Sequence, residues 1–225
     1  MLIRRQKIFG LFKDSVKGLF KNIKVDDNNG EPEVKETKTI NPSNSSNLVI
    51  KTNNLDIELR SVSGKSGITY SIILPKKIEL DRIKVEAKRQ ASDFNLSFMA
   101  KSENKWYGKN VSFGGCVQIE IPESMFKKSI LVKSGNGDIR VGKCSTNELG
   151  VSADNGDITV IHSEFKHGNV HTNNGDIRII DLADKDNYDI DAKTKNGDVR
   201  MPKQPNKKLS RDLIIRSGNG DIKII

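Results

Sequence analysis

From Asn47 onward, apolar and polar residues alternate in short runs broken by Gly, Asn, Asp and Ser. This is the period-2 pattern of half-buried strands. NLVIKT, GITYSIILP, DRIKVEAKR, DFNLSFMA and VSFGGCVQIEIP read as successive strands, and Pro75 and Pro122 each close one, where a missing amide donor does least harm. Beyond residue 130 the alternation becomes a repeat. The phrase small-x-Asn-Gly-Asp-(Ile/Val)-x-apolar recurs with its Asn at 136, 155, 174, 196 and 219, in steps of 19, 19, 22 and 23 residues. A period near twenty residues predicts stacked supersecondary units, each burying a thin slice of core.

Alternation assigns the faces of each repeat. Val132, Val151, Val170, Ala192 and Ile215, four positions before the Asn, point inward. So do the small residues Ser134, Ala153, Thr172, Thr194 and Ser217, two positions before it. After the turn, Ile139, Ile158, Ile177, Val199 and Ile222 re-enter the core, followed two residues on by Val141, Val160, Ile179, Met201 and Ile224. The structural turns are Asn136-Gly137-Asp138, Asn155-Gly156-Asp157, Asn174-Gly175-Asp176, Asn196-Gly197-Asp198 and Asn219-Gly220-Asp221. Glycine suits a corner that needs positive φ, and the Asp carboxylate can accept from turn amides. Coils stacked about 4.8 Å apart would let the Asn side chains form a hydrogen-bonded ladder. Thr52 to Leu59, TNNLDIEL, matches TNNGDIRI apart mainly from the glycine and reads as a degenerate first coil. Two alternatives remain for the tripeptide. Asn-Gly also makes two-residue hairpins, which would give an antiparallel meander. The Asp residues could instead ligate calcium, although each coil offers only one carboxylate.

A different period governs the N-terminus. Ile8, Phe12, Val16, Leu19 and Ile23 follow helical spacing, and Phe9 and Phe20 widen the stripe. Arg4, Arg5, Lys7, Lys13, Lys17 and Lys21 surround it. An apolar stripe beside a basic face predicts an amphipathic helix over residues 1–24 that lies on an anionic membrane surface. The other reading is a helix docked on protein. The segment has no apolar run of spanning length and does not resemble a signal peptide. Residues 25–46 are polar, hold two prolines and read as a flexible linker to a β body over 47–225. That body divides into degenerate coils (47–130) and regular repeats (131–225).

Composition narrows the function classes. Of the net charge of +9, +6 falls in residues 1–24, where seven Lys and Arg face Asp14 alone. The basicity therefore argues for a surface-binding segment and against a nucleic-acid-binding body. Aromatics are only 5% of the chain, which fits a narrow aliphatic core. Cys116 and Cys144 form no disulfide framework and read as reduced, buried residues.

Beside the turns, Lys133, Ser152, His171, Lys193 and Arg216 precede the Asn, and Arg140, Thr159, Arg178, Arg200 and Lys223 follow it. These two ladders could bind an anionic polymer, or simply offset the neighbouring Asp row. His162, His167 and His171 cluster in one stretch without accompanying ligand spacing, so no metal site is expected. Trp106 and Tyr107 sit in a polar loop that could cover an open end of the stack or meet a partner. No nucleophile elbow, phosphate loop or paired acid/base signature appears, so neither catalytic residues nor a cofactor are expected.

The repeated S/T-x-N-G-D-I phrases, with the preceding strand VQIEIPES, resemble the DUF4097 "putative adhesin" family, also called the toastrack domain. The resemblance covers about residues 47–225. It implies a single-stranded right-handed parallel β-helix, a handedness that also follows from the crossover rule. It further implies a bacterial envelope-stress context with no catalytic residues. The fold expected is thus all-β, a β-solenoid carrying an N-terminal amphipathic α-helix.

The function expected is a non-enzymatic, cytoplasmic, peripheral-membrane scaffold. Its expected partners are an anionic membrane and either a protein or a second copy, met through the C-terminal end, where SGNGDIKII closes the chain as an uncapped coil. A surface or secreted adhesin and a β-helical polysaccharide-active enzyme are the alternatives.

Overall fold

The structure is a computed structural model that describes residues 31–42, 45–101, 114–182, 187–202 and 209–225. The predicted helix at 1–24 and the Trp106-Tyr107 loop lie outside the described residues. The chain begins with β1 (Pro32–Ile40), β2 (Asn47–Thr52), β3 (Leu55–Val62), β4 (Ile68–Pro75), β5 (Ile83–Gln90), β6 (Asp93–Ala100) and β7 (Gly115–Pro122). The regular repeats supply β8 (Ser129–Asn136), β9 (Ile139–Gly142), β10 (Ser145–Asn155), β11 (Ile158–Ile161), β12 (Glu164–Asn174) and β13 (Ile177–Ile180). They continue with β14 (Tyr188–Asn196), β15 (Val199–Arg200), β16 (Arg211–Asn219) and β17 (Ile222–Ile224).

Two sheets face each other. One runs β1-β4-β7-β3-β9-β11-β13-β17-β15 and the other β14-β16-β12-β10-β8-β2-β6-β5. Each Asn-Gly-Asp corner carries the chain from the second sheet to the first. Equivalent residues stack in parallel register, as Asn136, Asn155 and Asn174 do. The antiparallel meander is thereby excluded for the repeats. Thr52 to Leu59 forms the coil below Asn136, with Ile57 in register with Ile139.

Between the sheets lies a continuous core. Val132, Val151, Val170, Ile215, Ile139, Ile158, Ile177 and Ile222 are all buried, as alternation predicts. Tyr70 packs edge-on against Phe98, and Phe165 against Tyr188, with centroids 5.1 and 5.2 Å apart. Tyr188 keeps its hydroxyl satisfied inside the core by accepting from the Phe165 amide (2.9 Å) and donating to the Phe165 carbonyl (2.6 Å).

Three expectations are corrected. Residues 32–40, read as flexible linker, form β1, which pairs antiparallel with β4. Polarity concealed this strand, because its side chains are mostly exposed at a sheet edge. The body is also not a purely parallel helix, because β4 runs antiparallel to β7 and β5 antiparallel to β6. A short turn through Ala91, at φ 54°, makes β5 and β6 a hairpin. Finally, the last repeat is not the end of the stack. β16 lies between β12 and β14, and β17 between β13 and β15, so the coil around Asn196 is outermost among the described residues. The physical reason lies in burial. Leu213, Ile215, Ile222 and Ile224 are buried on the inserted coil, whereas Ala192 is only partly covered and Val199 is exposed on the outer one. Placing the richer apolar set inside removes more surface from water.

Candidate functional site

The repeated corner is the most distinctive chemistry in the chain, and its polar atoms are used within the stack. Asn136 Nδ2 donates to Asn54 Oδ1 (2.8 Å), Asn155 to Asn136 (2.7 Å) and Asn174 to Asn155 (2.8 Å). The ladder then passes to Asn219 and ends on Asn196, each step 2.7 Å. A second ladder runs beside it. The amides of Asp138, Asp157, Asp176, Asp221 and Asp198 each donate to the carboxylate of the Asp one coil back, at 2.8–2.9 Å. Inward hydroxyls complete the corner, since Thr172, Ser217 and Thr194 donate to glycine carbonyls of the adjacent coil at 2.9–3.1 Å. Asn, Asp and Ser/Thr recur here because each satisfies a backbone or amide group that a tight corner would otherwise leave unpaired.

The two cation ladders occupy the outer faces. Their order in space follows the inserted coil: Lys133, Ser152, His171, Arg216, Lys193 on one sheet, and Arg140, Thr159, Arg178, Lys223, Arg200 on the other. Several are paired with acids. Arg178 lies 2.9 Å from Asp176 and 3.6 Å from Asp157, Arg200 3.6 Å from Asp198, and Arg216 2.5 Å from Asp191. The arrangement matches cations offsetting the Asp row better than a bare basic track.

A second corner, which sequence reasoning missed, closes each coil on the opposite side. Lys143, His162 and Asp181 recur every 19 residues at φ 56°, 46° and 48°. A small residue beside this corner carries the bonding: the Cys144 amide donates to Ser163 Oγ (3.2 Å), which donates to the Ile161 carbonyl (3.0 Å). The 19-residue spacing of Cys144 and Ser163 was the available signal.

Next to this corner an open cavity of about 670 Å³ is lined by Arg60, Glu120, Arg140, Gly142, Lys143 and His162 among others. It exists because Gly142 stands in register between Arg60 and Ile161 and leaves a gap in that row. Its charges are largely matched. Burial would raise the Glu120 pKa, but hydrogen bonds from Lys65 and Arg60 outweigh it and hold the carboxyl below its usual range. Burial raises Glu58 against the pull of Arg140. Further along β3, burial pushes Asp56 up to about 6 against the Asp138 amide bond.

The remaining candidates do not converge. His167 bonds Asp212, His171 bonds Asn173 (3.0 Å), and His162 lies 3.6 Å from Asp181. Cys116 and Cys144 are buried free thiols; burial raises both, Cys144 to about 11. A thiol held so far above neutral pH is a poor nucleophile.

Residues 45–225 match the family described as Toastrack DUF4097. The chain belongs to that family. This Toastrack chain is also similar in structure to a "putative cell adhesion protein" from Clostridium sporogenes. The TM-score is 0.60 at 15% identity, covering 86% of this chain and 99% of that one. A "putative adhesin" from Bacteroides fragilis aligns with a TM-score of 0.40 at 12% identity, over 87% and 97% of the two chains. A "putative lipid binding protein" from Parabacteroides distasonis aligns at 0.31 and 14% identity, over 86% and 97%. At 15% identity the likeness to the Clostridium sporogenes structure is one of fold. No curated protein matches the chain.

Proposed function

We propose that this Toastrack protein is a non-enzymatic interaction scaffold attached peripherally to the inner membrane face, serving the bacterial cell-envelope stress response. One observation carries the scaffold reading. All five corner Asn side chains and four of the five corner Asp carboxylates are spent on neighbouring coils, so the conspicuous motif builds a rigid rod and leaves its faces for contact. The coil is taken as right-handed, in line with the crossover rule for parallel strands. Membrane attachment is supported by residues 1–24, whose net +6 and apolar stripe suit an anionic leaflet. A protein partner would meet the outermost coil, β14 with β15.

The test is co-sedimentation of the full chain with phosphatidylglycerol vesicles at low salt, beside a chain lacking residues 1–24. Binding by the full chain alone, weakened by added salt, is the expected result. Equal binding by both chains, or by neither, removes the attachment reading. A surface adhesin is the second reading, prompted by the description carried by the Clostridium sporogenes structure. Protease added to intact cells separates the two, because only a surface protein is cut.

A further inference from the structure

The two ends of the stack are built differently. At one end, β1 covers β4 and β5 covers β6, all antiparallel, and β1 turns a mostly exposed, charge-rich strand outward. At the other, β14 and β15 are the last strands of their sheets among the described residues. There the core is incompletely covered. Val199 is 38% exposed, whereas its equivalents Ile158, Ile177 and Ile222 are fully buried. Ala192 and Thr194 are likewise only partly covered. Among the described residues the Asn ladder also ends here, with Asn196 donating its Nδ2 to Asn219. Continuing the pile head-to-tail would set this end against β1 and β5, whose residues are mostly exposed and charge-rich, rather than against a matching open core. What remains is a two-fold contact of open end against open end.

The outer row of β14 specifies such a contact. Asp189, Asp191, Lys193 and Lys195 alternate with inward residues, and all four are exposed. The order is acid, acid, base, base. Reversed against itself with Ala192 on the axis, the row places Asp189 opposite Lys195 and Asp191 opposite Lys193, twice over. Moving the axis to Asp191 or Lys193 sets that residue against its own copy. Moving it to Ile190 or Thr194 sets acid against acid or base against base. One register sets every acid opposite a base, with the small Ala192 side chain at its centre; Asp191, which already holds Arg216 (2.5 Å) and Lys193 (3.4 Å) of its own chain, would share its carboxylate with the second copy. Like charges directly opposite are destabilising, so the row selects this register as well as permitting it.

We infer that two copies of this chain join by their open ends, β14 antiparallel to β14 about a two-fold axis at Ala192, to form one doubled rod. The inference deepens the scaffold reading by naming the partner as a second copy, and it does not depend on membrane attachment. A doubled rod presents two N-terminal segments, and each added anchor strengthens surface binding without any new contact.

Sedimentation velocity on the full chain without lipid tests it. The expected result is a species of twice the 25.1 kDa chain mass. The all-acidic variant Lys193→Asp/Lys195→Asp and the all-basic variant Asp189→Lys/Asp191→Lys should each sediment as monomers. Mixing the two should restore the doubled mass, which a misfolded variant could not do. Ala192→Cys should form a disulfide-linked pair under mild oxidant, while Thr159→Cys, on the middle of the rod, should not. A monomeric parent chain overturns the proposal, as do charge variants that dimerise unchanged or fail to recombine. Vesicle binding reads the N-terminal segment alone, so failure there and failure here are distinguishable.

Discussion

A methyl group at position 156 has nowhere to go. Built on the backbone, it would lie 2.3 Å from the Gly137 carbonyl oxygen and 2.7 Å from its carbon, and Gly156 holds φ at 153°. Gly175 and Gly220 are in the same position, 2.2 and 2.1 Å from the glycine carbonyl one coil back. The glycine is therefore demanded twice, by its dihedral and by the closeness of the next coil. Gly156→Ala should cost about 2–5 kcal/mol, combining backbone strain with overpacking. Gly142→Ala makes the contrast, since the nearest atom to its new carbon is 4.0 Å away, and the change should stay within about 0.5 kcal/mol. Urea unfolding midpoints at constant slope read both; equal losses would mean that coil contact is not the cause. Leu55 explains itself by the same geometry. It takes the glycine slot of the first coil with its side chain close to Gly115, whose added carbon would meet Leu55 Cδ2 at 2.9 Å. Positive φ was legible in the sequence for Gly156, Gly175, Gly197 and Gly220, whereas Gly137 at the first repeated corner does not adopt it and is demanded only by the Leu55 carbonyl, 2.5 Å from an added carbon. The carbonyl pressing on each glycine was not, because it belongs to a residue at least 19 positions away whose place is set by register.

Among the elements, the inserted coil is the informative one. β16 and β17 enter between strands formed earlier in the chain, and the spacing between repeats lengthens where this happens, to 22 and 23 residues from 19. Those added residues allow the chain to step past one coil and return. The lengthening was visible in the sequence, but strand order is set by which coil buries more, which a spacing does not reveal. Ile215 sits fully buried on β16, in register with Val170 on one side and Ala192 on the other. Ile215→Ala should cost about 2–4 kcal/mol by leaving a cavity between neighbours that cannot close. Val199→Ala, on the outermost coil, should cost less than about 1 kcal/mol, because little of its surface is removed from water. A stack in sequence order would put the larger loss at Val199 and the smaller in β16, so the two denaturation midpoints decide between the arrangements. β1 was illegible for a related reason. A strand covering an edge carries no apolar face of its own, and PEVKETKTI shows none.

For the molecule as a whole, what matters is that, among the described residues, one end is closed by antiparallel strands and the other ends on a partly exposed coil. β4 is strongly apolar, and Ile68, Tyr70, Ile72 and Leu74 fill the core from it. Its outer backbone edge is covered by β1 along the register from Pro32–Pro75 to Ile40–Ile68. A bare strand of this length is a template for pairing with any other chain, whereas an exposed charged strand is not. Comparing residues 31–225 with residues 41–225 isolates β1, since both retain the stretch that carries the family match. Both should give the same β-rich circular dichroism, because β1 contributes little to the core. The shorter chain should sediment as assemblies larger than those of the longer one and grow with concentration, as edge pairs with edge. Thr69→Lys places a charge on the outer face of β4, beside Glu120, and should return the shorter chain towards the size of the longer. If removing residues 31–40 leaves the assembly size unchanged, the closed end does not depend on β1, and the asymmetry that confines association to β14 must have another source.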